Sequence, residues 1–250
     1  MRNWLLSLIL LTVFFPIAAA ESTPQPITIT FNPGLECSWN SISSLGGEEK
    51  TANTFNFLAS RLAVKMDIFD YLALEIFAGY HSAFAKNPLD FTAMPLSLRW
   101  DRQKFGGLLL GAAIISEPFS LNDFSLKIRG EFTFALEKER TWEIKLPMIS
   151  GQATGDNAFS LLTLDVTAQY QGFTGVTIFI GPRLNLLHGK FIATENIADL
   201  QGQQEFSYRQ KNLIGPLAGI AIEIGDNWEL NFKASILART ELSLAVFYVF

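Results

Sequence analysis

Apolar and polar residues alternate along most of this chain, in stretches as long as strands. Between 124 and 136, Phe124, Leu126, Ile128, Gly130, Phe132, Phe134 and Leu136 share one parity, while Ser125, Lys127, Arg129, Glu131, Thr133 and Ala135 share the other. Leu162, Leu164, Val166, Ala168 and Tyr170 oppose Thr163, Asp165, Thr167 and Gln169 in the same way. Trp228, Leu230, Phe232, Ala234 and Ile236 oppose Glu229, Asn231, Lys233 and Ser235. The final stretch puts Leu242, Leu244, Val246, Tyr248 and Phe250 on one face. A period of two means a strand with two different faces. Soluble sandwiches alternate too, but they rarely keep one face free of charge over so many long strands.

Ile27–Ser41 alternates with the same uncharged apolar face, and weaker alternation marks Tyr71–His81, Met94–Trp100, Thr141–Met148, Val176–His188 and Leu213–Ile224. Gly106–Ile115 is apolar and small throughout, so its facing stays open. In Phe55–Asp67 the apolar parity switches near Leu58, which predicts a bulge there. The connectors differ in length. Tight turns are expected at 68–70, 101–104, 137–140, 171–173 and 225–227, and longer polar connections at 43–53, 82–92, 117–123, 149–157 and 189–211. The hairpin near Arg239-Thr240 is the short exception on the long-connector side. Within 189–211, apolar residues such as Phe191, Ile197, Phe206 and Tyr208 predict a strand that extends outward and a second that returns. Phe69, Tyr71, Trp100, Phe105, Trp142, Tyr170, Phe173, Trp228, Tyr248 and Phe250 fall beside the ends carrying the tight turns, as an aromatic belt would.

These features resemble bacterial outer-membrane β-barrels: uncharged alternate faces, short and long connectors in turn, and a terminal Phe250 with Tyr248 two residues before it. The resemblance implies an all-β fold, a single closed antiparallel transmembrane β-barrel of about twelve strands, with ten or eight also open. It implies tight turns in the periplasm and long loops outside. It also implies that Tyr248 and Phe250 serve as an assembly signal read by the barrel-assembly machinery, with periplasmic chaperones and outer-membrane lipids as further partners. No subfamily motif fixes a substrate.

Residues 1–20 fit a cleaved signal peptide: Arg2, an apolar run from Trp4 to Ile17, then Ala18-Ala19-Ala20. The barrel domain would then occupy 21–250. The chain is 49% hydrophobic with 22 Phe, and beyond the leader no apolar run is long enough for a helical span. The net charge of −5 becomes −6 without Arg2, which argues against nucleic acid and against an anionic lipid surface as partners. Cys37 stands alone, so there is no internal disulfide; its expected place is the lipid face of a strand.

The expected lumen-lining residues are Glu36, Arg61, Lys65, Glu75, Arg99, Lys127, Arg129, Glu131, Glu143, Lys145, Asp165, Arg183, Glu223, Glu229 and Lys233. Their signs nearly balance. They either line a polar pore or pair into a network that fills a narrow interior, because unpaired buried charge is too costly to leave. Porin-like conduction of a small polar solute is the leading function, and a non-conducting barrel acting through its outer loops is the alternative. A rim-located lipid hydrolase is remote. His81 and His188 are the only histidines, and the neighbouring Ser82 would point to the opposite face from His81. No catalytic residue, metal site or cofactor is expected: no metal-ligand spacing and no phosphate-loop motif occurs.

Overall fold

The structure, a computed structural model, describes residues 28–44, 52–85, 89–91, 98–100, 104–137, 139–146, 149–237 and 240–249. The expected signal peptide and Phe250 lie outside the described residues. The strands are β1 (Thr28–Ser44), β2 (Ala52–Phe69), β3 (Leu72–Ala85), β4 (Leu89–Phe91), β5 (Leu98–Trp100), β6 (Lys104–Leu121), β7 (Phe124–Glu137), β8 (Arg140–Leu146), β9 (Ile149–Phe173), β10 (Val176–Ile197), β11 (Leu200–Gln210), β12 (Ile214–Ile224), β13 (Trp228–Ser235) and β14 (Thr240–Val249). Among the described residues, no helix is long and apolar enough to cross a membrane.

Twelve of these strands form one antiparallel sheet. Leaving out β8 and β11, which lie above the ring, ten close on themselves: β1-β2-β3-β6-β7-β9-β10-β12-β13-β14 and back to β1. The ring is therefore the ten-stranded alternative. Two segments that alternate in sequence do not enter it. Among the described residues, Leu98–Trp100 pairs only with Leu89–Phe91 in a separate ribbon, and Arg140–Leu146 pairs only with the outer end of β9.

One end of the barrel is formed by the tight turns at Asp70-Tyr71, Asn122-Asp123, Thr174-Gly175 and 225–227. The start of β1 and the end of β14 lie there too, paired as Thr30 with Val249. Gly175 (φ +71°), Gly225 (φ +66°) and Asn122 (φ 52°) hold the left-handed backbone these turns need. Three expected connectors change ends. Residues 117–123, expected as a long connection, hold the tight turn of the β6–β7 hairpin. Lys104, expected in a tight turn, opens β6 opposite Phe84, far from the turns. Glu137 and Arg140 likewise bound a connection at the far end. A bulge between Ser116 and Phe119 hid the hairpin in the sequence: it holds Pro118, which has no N–H for the ladder, and it shifts the parity of the residues beyond it. By contrast, the pairing of β2 runs unbroken past Leu58, and its only register shift lies between Asp67 and Phe69.

Outward positions carry exposed apolar side chains around the ring, among them Phe31, Leu62, Ile76, Leu110, Phe132, Ile180, Phe232 and Leu242. At the tight-turn end, Phe69 stacks on Tyr71 (5.6 Å between centroids), Phe124 packs on Tyr170 (4.9 Å) and Trp228 on Tyr248 (4.7 Å). Phe105 and Trp142, expected in this belt, belong to the opposite end, where they pack on each other in the interior. Trp100 lies on the separate ribbon.

Candidate functional site

The interior is built in layers. Nearest the tight turns is a cavity of about 270 Å3, lined by Arg61, Lys65, Glu75, Lys127, Arg129, Asp165, Glu229 and Lys233 among others. Above it lies a belt of ion pairs. Arg129 bridges Glu75 (2.6 Å) and Glu131 (2.7 Å), and Arg61 reaches the same Glu131 at 3.1 Å. These residues stand on β2, β3 and β7, so the cluster ties non-neighbouring strands across the lumen. On the other side, Arg183 grips Asp165 with Nε and Nη2, both at 2.6 Å, and donates from Nη1 to Glu241 at 2.7 Å. Lys233 joins Glu241 at 3.3 Å. Lys65 pairs with Asp67 (2.7 Å), and Lys127 with Glu117 (3.4 Å). A charge-assisted pair in a water-poor interior is held by its partners, because removing one leaves the other unsolvated.

Above the belt the interior turns apolar. Phe57, Phe105, Phe159, Leu161, Leu187, Phe191 and Tyr208 form one buried cluster with Ala83, Ala135, Ala153 and Ala193, and Trp142, Ile144 and Phe206 pack against it. Phe57 meets Phe159 edge to face at 5.1 Å, and Phe105 meets Phe191 at 5.0 Å. Edge-to-face rings with interdigitated aliphatic groups leave little room for water. Two polar pairs are sealed inside. His81 Nε2 lies 3.0 Å from Glu137 Oε1, and both side chains are 0% exposed. The Tyr208 hydroxyl donates to Asn157 Oδ1 at 2.7 Å. Gly189 faces Tyr208 across the strand pair, and any Cβ there would strike the ring.

Most of the expected lumen residues meet in the lower layers, but several do not. Glu143 and Lys145 stand on β8 and Arg99 on β5, neither strand part of the ring; these segments alternate like ring strands but are short and, among the described residues, pair on one side only. Glu143 is exposed, and the side chains of Arg99, Lys145 and Glu36 lie outside the described residues. The Glu36 backbone is placed in β1, opposite Ala59 and Ser243. Glu223 is exposed at the tight-turn rim, and Glu229 is half-buried in the cavity wall. Sequence reasoning missed Glu241, Glu137 and the whole aromatic layer. The available signal was Phe57, Phe159 and Phe191 at positions of polar parity; Phe105 opens a strand with no polar parity and gave none. His81, one of the two histidines, is part of the buried layer.

Outside this layer the wall continues as β8–β9–β10–β11. Its outward rows read Glu143, Gln152, Asn196, Gln201 and then Thr141, Thr154, Thr194, Gln203, each residue opposite the next. The 25 residues of β9 and 22 of β10 exceed the 9–11 that span a membrane, so this sheet stands clear of the apolar band.

No family model and no curated protein matches the chain. Among solved structures it is similar to the outer membrane protease OmpT from Escherichia coli, at 8% identity over 92% of this chain and 99% of that one, with a TM-score of 0.54. It is also similar to the translocator domain of autotransporter NalP from Neisseria meningitidis, at 10% identity over 100% of this chain and 96% of that one, with a TM-score of 0.47. The fold is that of outer-membrane β-barrels: a closed, antiparallel transmembrane barrel.

Proposed function

We propose that this protein is an integral outer-membrane barrel with a closed lumen, acting through the sheet it raises outside rather than by conducting solutes. The observation that carries this reading is the aromatic layer over the ion-pair belt: a polar solute entering the 270 Å3 cavity meets Phe57, Phe159 and Leu187, not water. Tight turns and the paired ends of β1 and β14 go to the periplasm, as in barrels of this class, and β8–β11 go outside. A rigid scaffold presenting rows of amides and hydroxyls suits a polar, uncharged external partner. The reading contains no enzymatic step, and it keeps cleavage after Ala20 and handling by the assembly machinery as parts of export.

A narrow channel for small polar solutes is the second reading, favoured by the cavity itself, which the ion-pair belt and the aromatic layer separate from the far side. Planar bilayers decide between them. The purified barrel is expected to be silent across salts and voltages, and the variant carrying Phe57→Ala, Phe159→Ala and Phe191→Ala to show stepwise conductance. Steps from the unaltered protein would overturn the closed barrel in favour of the channel.

A further inference from the structure

Two strands change partner partway up the wall. β10 pairs with β12 as far as Leu184–Ile214, and then with β11 from His188–Arg209. β1 pairs with β14 as far as Trp39–Thr240, and then with β11 from Ile42–Gln210. One strand thus replaces three, and since barrel width follows strand number, the wall steps inward above the short β13–β14 hairpin. Exposed apolar side chains crowd the step: Leu213 44%, Ile214 67%, Ile236 54% and Leu237 64%.

A hairpin tip in water takes Gly, Asn or Asp; this one begins with Ile236 and Leu237, followed in sequence by Ala238 and Arg239, which lie outside the described residues. Its backbone is also served from within the protein. The Ile236 N–H donates to the Pro216 carbonyl at 3.3 Å, and Asn212 Nδ2 donates to the Leu237 carbonyl at 3.3 Å. Internal satisfaction of this kind is what lipid demands and water does not. Directly above the tip, Arg209 and Lys211 project outward with His188 opposite Arg209, all exposed. Glu205 is engaged by Lys190 at 2.7 Å, and among the described residues neither Arg209 nor Lys211 makes an ion pair.

We propose that this step is a binding site for a phosphorylated glycolipid of the outer leaflet, its phosphate held by Arg209 and Lys211 and its acyl chains lying over Leu213, Ile214 and Leu237. Cations at headgroup depth above an apolar ledge match an anionic amphiphile, and two charge-assisted contacts supply the selectivity for phosphate. The leaflet rests on the orientation given above; the site itself rests on the geometry alone.

The test uses the full-length barrel refolded in detergent, titrated with a bis-phosphorylated glucosamine-disaccharide lipid and with the same lipid stripped of phosphate, bound species being counted by native mass spectrometry. The phosphorylated lipid is expected to bind more tightly, and R209S/K211S to weaken it about tenfold, the scale of one such contact. The charge-neutral control K190S/E205S should leave the affinity unchanged. Equal binding of the two lipids, or no loss in R209S/K211S, would overturn the proposal. Heat-resistant mobility in gels checks that each variant is folded. A cysteine placed at Asp199 reports orientation separately. Labelling on intact cells supports the outer leaflet, and labelling only in broken cells overturns the leaflet assignment while the binding result still judges the site.

Discussion

The lower and upper parts of this barrel are held together by opposite chemistry. In the lower part ten strands surround charged side chains, and strands that are not neighbours are joined by Arg129 with Glu75 and by Arg183 with Glu241, while Arg129 also holds Glu131 on its own strand and Arg183 holds Asp165 on the adjacent β9. In the upper part β11 takes the place of three strands, and the interior is aromatic and aliphatic. The difference follows from width. A wider ring leaves space that long charged side chains fill, while a narrower one brings facing strands close enough for rings to interlock. Arg183 marks the boundary. It reaches from β10 to Glu241 on β14, spanning the arc that β11 covers above.

The most damaging single change should therefore lie at that boundary. Arg183→Ala leaves Asp165 and Glu241 buried without their main cation, and a broken buried pair costs about 3–5 kcal/mol. The expected outcome is a large fall in the denaturation midpoint of the detergent-folded barrel. Adding Asp165→Leu and Glu241→Leu should recover much of the loss, since an apolar layer then continues upward from the boundary. No recovery in the triple variant would mean that the two layers are not interchangeable and that charge is required at this depth.

The next effect separates the inner from the outer face of the lower part. Leu164→Arg puts a charge on the lipid face near the midplane and should cost about 2–4 kcal/mol, measured as a shift in folding equilibrium in lipid vesicles. Thr163, its neighbour on the lumen side, makes a poor control. It is buried, and its hydroxyl donates to Asn185 Oδ1 at 2.9 Å, so an arginine there would overpack the interior. Ser243 borders the 270 Å3 cavity, so Ser243→Arg has room and should change stability little. Equal costs at 164 and 243 would sink the assignment of faces.

The two faces were not equally legible in the sequence. The lipid face was, because a membrane tolerates no charge there, and Phe124 to Leu136 or Trp228 to Ala234 read at once. The lumen has no such rule. Lys127, Arg129, Glu131 and Asp165 announced themselves by charge, but which would pair depended on neighbours brought together by the ring order. The aromatic layer stayed hidden because Phe57 and Phe159 point inward at positions where alternation predicts polarity, so they read as lapses. The count came to rest on the ten-stranded alternative rather than on twelve for a related reason. A segment such as Thr141–Met148 alternates whether it closes a barrel or leans on one neighbour, and period alone does not separate the two.

The smallest expected effect belongs to the outer wall of the upper part. Lys190 and Glu205 form a 2.7 Å pair, yet their side chains remain 57% and 49% exposed, unlike the 2% of Arg183 and Glu241. Water screens both partners, and holding two flexible side chains in one geometry offsets the attraction, so such pairs contribute about 0.2–1 kcal/mol. A double-mutant cycle with Lys190→Ala and Glu205→Ala should give a coupling in that range, falling as salt is raised. The same cycle between Lys233 and Glu241, joined at 3.3 Å with 17% and 2% exposure, should give a larger coupling that salt barely changes. If both cycles returned the same small, salt-sensitive value, the lower lumen would be behaving as bulk water. The ion-pair belt would then be a hydrated lining rather than the frame that holds the wider ring.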